Sequence, residues 1–196
     1  MQTRTISAIS HGWVKVAATL AIAAAAMSFA APAVHAQSTT STIGAIRLGE
    51  YIPVNSATQQ TYGRYYLTGG LDYYFQQNQT TSRSVISVDY TEFSKSGNDI
   101  RVIPVTIGQQ SMEAARGQSV RPYIGYGVGA YFIHLKDPND TNFGGSDTEN
   151  ATAFGGFLEA GLDLTTNLFL DARYHIVTPV KSVNTDSLEI TAGLRF

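Results

Sequence analysis

The chain has 196 residues, 13 of them basic and 15 acidic, with no cysteine. That composition offers no basic surface for nucleic acid, and no disulfide, thiolate metal site or cysteine nucleophile. Outside the amino-terminal leader no apolar run approaches the roughly 20 residues a membrane helix needs, so a membrane-spanning mature chain must close into a barrel.

Residues 1–36 have the pattern of a cleaved secretory signal. Arg4 and Lys15 give a positive start, Val16 to Ala31 is almost wholly apolar, and Val34-His35-Ala36 places small residues before a cleavage point at Gln37. The remainder, 37–196, has the length of a single domain. Removing Arg4 and Lys15 leaves 11 basic against 15 acidic residues, a net charge near −4.

Along that remainder, segments of about ten residues alternate between apolar and polar side chains, the period of a strand with two different faces. After a polar leader, 37–42, the first strand is expected over Ile43 to Ile52, with Ile46 and Leu48 opposed to Arg47, and with Glu50 on the apolar face at a rim. Pro53 to Arg64 reads as a polar loop. The second strand, Tyr65 to Tyr74, sets Leu67, Leu71 and Tyr73 against Tyr66, Thr68, Gly70 and Asp72. The third, Ser84 to Phe93, sets Ile86, Val88 and Tyr90 against Ser87, Asp89 and Thr91. A Ser94 to Asp99 turn follows, rich in residues that tolerate turn geometry.

The fourth strand, Ile100 to Gly108, is apolar on both faces and contains Pro104, which removes a ladder hydrogen bond. Ile103, Val105 and Ile107 are assigned to its lipid face. Gln109 to Val120 reads as a polar connection. The fifth strand, Arg121 to Leu135, puts Gly125, Gly127, Gly129 and Tyr131 on one face and Ile124, Tyr126, Val128, Ala130 and Phe132 on the other. Lys136 to Thr152 is the longest loop, acidic through Asp137, Asp140, Asp147 and Glu149.

The sixth strand, Ala153 to Leu164, opposes Phe154, Leu158, Ala160, Leu162 and Leu164 to Phe157, Glu159, Gly161 and Asp163. A tight Thr165-Thr166-Asn167 turn leads to the seventh, Leu168 to Ile176, where Leu170, Ala172 and Tyr174 oppose Phe169, Asp171, Arg173 and His175. After the loop Val177 to Asp186, the last strand, Leu188 to Phe196, alternates without exception: Leu188, Ile190, Ala192, Leu194 and Phe196 against Glu189, Thr191, Gly193 and Arg195. Eight strands is an even count, which is expected to put both termini of the mature chain at one end of the barrel.

Alternation alone does not distinguish a lipid-exposed barrel from a soluble one. Crowding does, because eight strands enclose a lumen only just wide enough for side chains, and the apolar face is too bulky to fit there. The opposite face is rich in glycine and short polar residues. It also holds charges of both signs, and buried charges persist only when paired. The expected fold is all-β: an eight-stranded antiparallel up-and-down transmembrane β-barrel. Its lumen is expected to be plugged by ion pairs among Arg47, Asp72, Asp89, Glu159, Asp163, Asp171, Arg173, Glu189 and Arg195. Tyr51, Tyr65, Tyr73, Tyr90, Tyr123 and Tyr174 recur near strand ends and are assigned to interfacial girdles.

The run Arg121-Pro-Tyr-Ile-Gly-Tyr-Gly-Val-Gly-Ala-Tyr-Phe, then Phe157-Leu-Glu-Ala-Gly-Leu-Asp-Leu, Leu168-Phe-Leu-Asp-Ala-Arg-Tyr and the closing Gly193-Leu-Arg-Phe resemble the outer-membrane β-barrel domain group that holds the OmpA-type and OmpW-like small barrels. Ile103-Pro104-Val105-Thr106 is similar to another stretch of that group. The resemblance implies residence in the outer membrane of a Gram-negative-type bacterium and contact with outer-membrane lipids. It also implies recognition of Leu188, Ile190, Leu194 and Phe196 by the barrel-assembly machinery. Two departures stand out: the 109–120 connection is longer than the usual periplasmic turn, and no peptidoglycan-binding domain follows.

No catalytic residue, cofactor or metal ligand is expected. Gly125-x-Gly-x-Gly lies inside a strand with no helix after it, unlike a dinucleotide fingerprint. Asp137 to Asn142 superficially resembles a calcium loop but has Asn142 and Thr148 where that motif needs Gly and Glu. A lipid A-modifying hydrolase would need a Ser, a His and a carboxylate within hydrogen-bond reach, and Asp171 lies about 13 Å along the strand from His175. The expected role is structural or in surface interaction, through a ligand the sequence does not name. The alternative is a conduit for small hydrophobic molecules, which asks for an apolar lumen near the outer mouth, where Asp, Arg and His are expected instead.

Overall fold

In the computed structural model, which describes residues 43–78, 82–95, 97–112, 120–136, 148–181 and 183–196, eight antiparallel strands pair in sequence order. The last pairs with the first, closing the barrel. The strands are β1 Gly44–Pro53, β2 Tyr66–Asn78, β3 Ser82–Lys95, β4 Asn98–Met112, β5 Arg121–Lys136, β6 Thr148–Asp163, β7 Leu168–Val177 and β8 Ser187–Arg195. Closure leaves no edge along the ladder from Ala45↔Arg195 to Pro53↔Ser187, and an edgeless sheet is what a lipid solvent demands.

The alternating residues point as their chemistry requires. Ile46, Leu67, Leu71, Ile86, Val88, Val105, Ile107, Leu158, Leu162, Leu170 and Ile190 are exposed on the outside. Arg47, Asp72, Asp89, Glu159, Asp171, Arg173 and Glu189 are buried inside.

The structure corrects several boundaries. β4 continues to Met112, so part of the predicted 109–120 connection is strand, and β6 begins at Thr148, so the loop expected over Lys136 to Thr152 is shorter. The calcium-like stretch Asp137 to Asn142 and the leader 1–36 lie outside the described residues. The loop after β1 holds a short helix, α1 Ser56–Tyr62. Asn55 caps it, its side chain accepting from the amides of Ala57 and Thr58 at 2.9 and 3.2 Å. Gly63 ends it at φ 117°, a backbone setting that glycine alone adopts without strain.

Two of the six tyrosines assigned to girdles are not on the outside. Tyr51 and Tyr123 are 2% exposed and point inward, while Tyr65, Tyr73, Tyr90 and Tyr174 face out. The period-two pattern carried this information. Tyr51 shares the face of Arg47, and Tyr123 that of Gly125.

The inner mouth at the loop-rich end also differs from expectation. Tyr51, Tyr62, Tyr66, Ile100, Val102, Tyr131, Ile133, Leu135, Ala153 and Val177 form an apolar cluster there, with Phe93, Val180 and Val183 packed against it. β4 and β5 build it without a change of phase, by exchanging which of their two alternating faces is apolar. Ile103 and Phe132 face outward as register partners, and one step on, the paired Val102 and Ile133 are buried inside. The two apolar faces of β4 are therefore two storeys of one strand.

Candidate functional site: the filled lumen

The lumen is occupied in three layers, and the middle one is ionic. Arg47 on β1 reaches Asp72 on β2 at 3.1 Å and Glu189 on β8 at 3.1 Å, and also pairs with Asp89 on β3. Arg173 on β7 lies 3.0 Å from Glu159 on β6, its register partner, and 3.6 Å from Asp171. It also approaches Asp72 at 3.7 Å and Asp89 at 3.9 Å. Both guanidiniums are fully buried, where each needs several acceptors to offset lost hydration. Neutral groups complete the layer. Ser87 donates to Asp72 at 2.6 Å, Gln110 donates to Glu159 at 2.8 Å, and Thr191 donates to Asp171.

Below it, toward Gly44 and Phe196, Arg195 reaches Asp163 at 2.7 Å and lies 4.0 Å over the Phe169 ring. Arg83 approaches the same Asp163 at 3.5 Å and sits between the Tyr74 and Tyr123 rings at 5.1 and 4.9 Å. Such stacking shields a guanidinium from the loss of water. Arg83 and Gln110 were not foreseen, because the expected third strand began at Ser84 and the fourth ended at Gly108. Extending the alternation would have found them, since Arg83 is in phase with Ser87 and Gln110 with Thr106.

Above the ionic layer comes the apolar cluster, joined to it by His175. One imidazole nitrogen lies 3.1 Å from Glu189, the other 3.0 Å from the Tyr131 hydroxyl. Among the described residues His175 is hydrogen-bonded to neither Asp171 nor a serine hydroxyl, although Ser187 is its register partner on β8. The loop after β7 and α1 close the top. Tyr51 donates to the Thr185 carbonyl at 2.9 Å, and Thr58 donates to the Asn184 carbonyl at 2.7 Å.

Among known families, the Opacity family porin protein matches residues 78–196. The chain belongs to the Opacity family. Among solved structures, this Opacity-family barrel is similar to Neisserial surface protein A, at 18% identity and a TM-score of 0.52, covering 78% of this chain and 92% of that one. It is also similar to the N-terminal β-barrel domain of Pseudomonas aeruginosa OprF, at 13% identity and a TM-score of 0.50, covering 79% and 98%. These likenesses concern the fold. Comparison with curated proteins finds no match. The Opacity-family barrel resides in the outer membrane, its apolar face against lipid, as the crowding argument requires. Gly44 and Phe196 lie at the same end of the barrel as the tight Leu164 to Leu168 turn, and α1 lies at the opposite end.

Proposed function

We propose that the protein is a structural or surface-interacting barrel with a lumen shut by its own side chains, presenting its outer loops to the surroundings. One observation carries the reading. Arg47 and Arg173, at 0% exposure, bind carboxylates from β2, β3, β6, β7 and β8 across the axis, which supports a lumen without a water-filled path for a porin's solutes. Planar-bilayer recording tests this. The expected result is an absence of regular conductance steps, and reproducible steps would refute it.

The apolar outer storey favours a second reading, a conduit for small hydrophobic molecules. Uptake of an apolar dye into liposomes separates the two: acceleration by the protein supports the conduit, and an unchanged rate the closed barrel. We further infer that the barrel is not an enzyme, because His175 is fully buried, with its nitrogens toward Glu189 and the Tyr131 hydroxyl rather than a serine hydroxyl. Altered acylation in lipid A from cells overproducing the protein would overturn that inference.

Leu188, Ile190, Leu194 and Phe196 share the outward face of the last strand, with Phe196 exposed, which supports their reading by the barrel-assembly machinery. Deleting Phe196 should lower the assembled fraction. Residues 1–36 are proposed as the export signal, so sequencing the mature amino terminus should give Gln37.

A further inference from the structure

The wall of the barrel is taller on one side. β3, β4, β5 and β6 have 14, 15, 16 and 16 residues, whereas β1, β7 and β8 have 10, 10 and 9. On β5 the outward positions from Pro122 through Ile124, Tyr126, Val128 and Ala130 to Phe132 are all apolar. Ten steps of roughly 3.4 Å, tilted by about 40°, rise about 26 Å, the height of the apolar band of such barrels. The next outward positions are His134 and Lys136.

The chemistry changes along one register row that crosses several strands. Ile103 pairs with Phe132, and immediately above them Arg101 pairs with His134 and Asp99 with Lys136. Glu92 continues the Arg101 row on β3, and Asn150 continues it on β6. The row is stitched together on the outside: Arg101 donates to Glu92 at 2.9 Å, and His134 lies 2.7 Å from Asn150. Inside, at the same height, Ile100, Val102, Ile133 and Leu135 are buried beneath α1. A sheet surrounded by lipid turns its apolar face outward, and a sheet surrounded by water turns it inward. The surrounding solvent therefore changes between the Ile103/Phe132 row and the Arg101/His134 row.

We infer that the headgroup layer of the outer leaflet rests against the row Glu92, Arg101, His134 and Asn150. Its guanidinium, imidazole, amide and carboxylate offer donors and acceptors for the phosphate and hydroxyl groups of lipid headgroups. Above the row, β3 to β6 stand in water as the wall of a cap with its own apolar core. On β7 and β8 the apolar face runs to the strand ends, and on β1 Glu50 interrupts it below Ile52. The inference rests on the outer-membrane placement and adds where the membrane stops.

The absence of cysteine permits single nitroxide labels in the full chain reconstituted in bilayers. Labels on Ile103→Cys and Phe132→Cys should collide mainly with oxygen, and those on Arg101→Cys and His134→Cys mainly with a water-soluble nickel chelate, the ratio changing several-fold over one row. A label at position 134 should also relax lipid phosphorus several-fold more than one at Val128. Oxygen-dominated collisions at 101 and 134, or equal phosphorus relaxation from 128 and 134, would overturn the inference. Nickel-dominated collisions at 103 and 132 would instead refute the lipid placement of that face.

Discussion

Arg47 and Glu189 are 142 residues apart in the chain and 3.1 Å apart in the lumen, on the two strands whose pairing closes the barrel. Arg47→Met would leave Asp72, Asp89 and Glu189 without their shared cation. Breaking a buried pair from one side costs about 3–5 kcal/mol. Urea unfolding, followed by the gel shift between folded and boiled protein, should show a loss of that size. The control Arg101→Met removes an exposed partner of Glu92 and should cost roughly 0–1 kcal/mol.

Inward aromatic rings lie over glycines of neighbouring strands. A Cβ at Gly161 would fall 2.2 Å from the Tyr123 ring, and one at Gly193 would fall 2.2 Å from Phe169. Rings packed between strands have no room to retreat. Gly161→Ala and Gly193→Ala should each cost roughly 1–3 kcal/mol by overpacking. Gly69→Ala, with its nearest neighbour at 3.4 Å, should be close to neutral. Parallel urea titrations of the three variants make the comparison.

Much of this architecture was legible in the sequence. The last strand reads in and out without error, and the inward set it starts, Glu189 and Arg195, leads to every carboxylate in the ionic layers. Legibility ended where the surrounding solvent changes. β4 is apolar on both faces because its lower half meets lipid while its upper half covers a core; its alternation keeps one phase, but the face that is apolar changes along it. Tyr51 and Tyr123 were misplaced because a tyrosine near a strand end suits either a headgroup zone or a packed mouth. α1 was invisible because its seven residues hold only Ala57 and Tyr62 besides polar side chains, too few to mark an apolar stripe, and tertiary contacts with the loop after β7 hold it in place.

Those contacts predict how the outer mouth opens. Tyr51→Phe removes the donor to the Thr185 carbonyl, and Thr58→Val removes the donor to the Asn184 carbonyl. Each loss is worth about 0.5–1.5 kcal/mol. Hydrogen exchange across 183–186 should accelerate in both variants, roughly additively when combined, while exchange in β8 stays unchanged. Unaltered exchange in the double variant would mean that these bonds do not hold the cap.

The central claim is that the charged lumen is closed to water on both sides, and substituted-cysteine accessibility tests it directly in this cysteine-free chain. Ser87 lies at mid-lumen with 0% exposure, between Asp72 and Arg173, and Ser94 on the same strand is exposed. A small charged thiol reagent should label Ser94→Cys promptly and leave Ser87→Cys unreacted until the barrel is unfolded. Labelling of Ser87→Cys in the folded protein at the rate of Ser94→Cys would contradict the closed lumen.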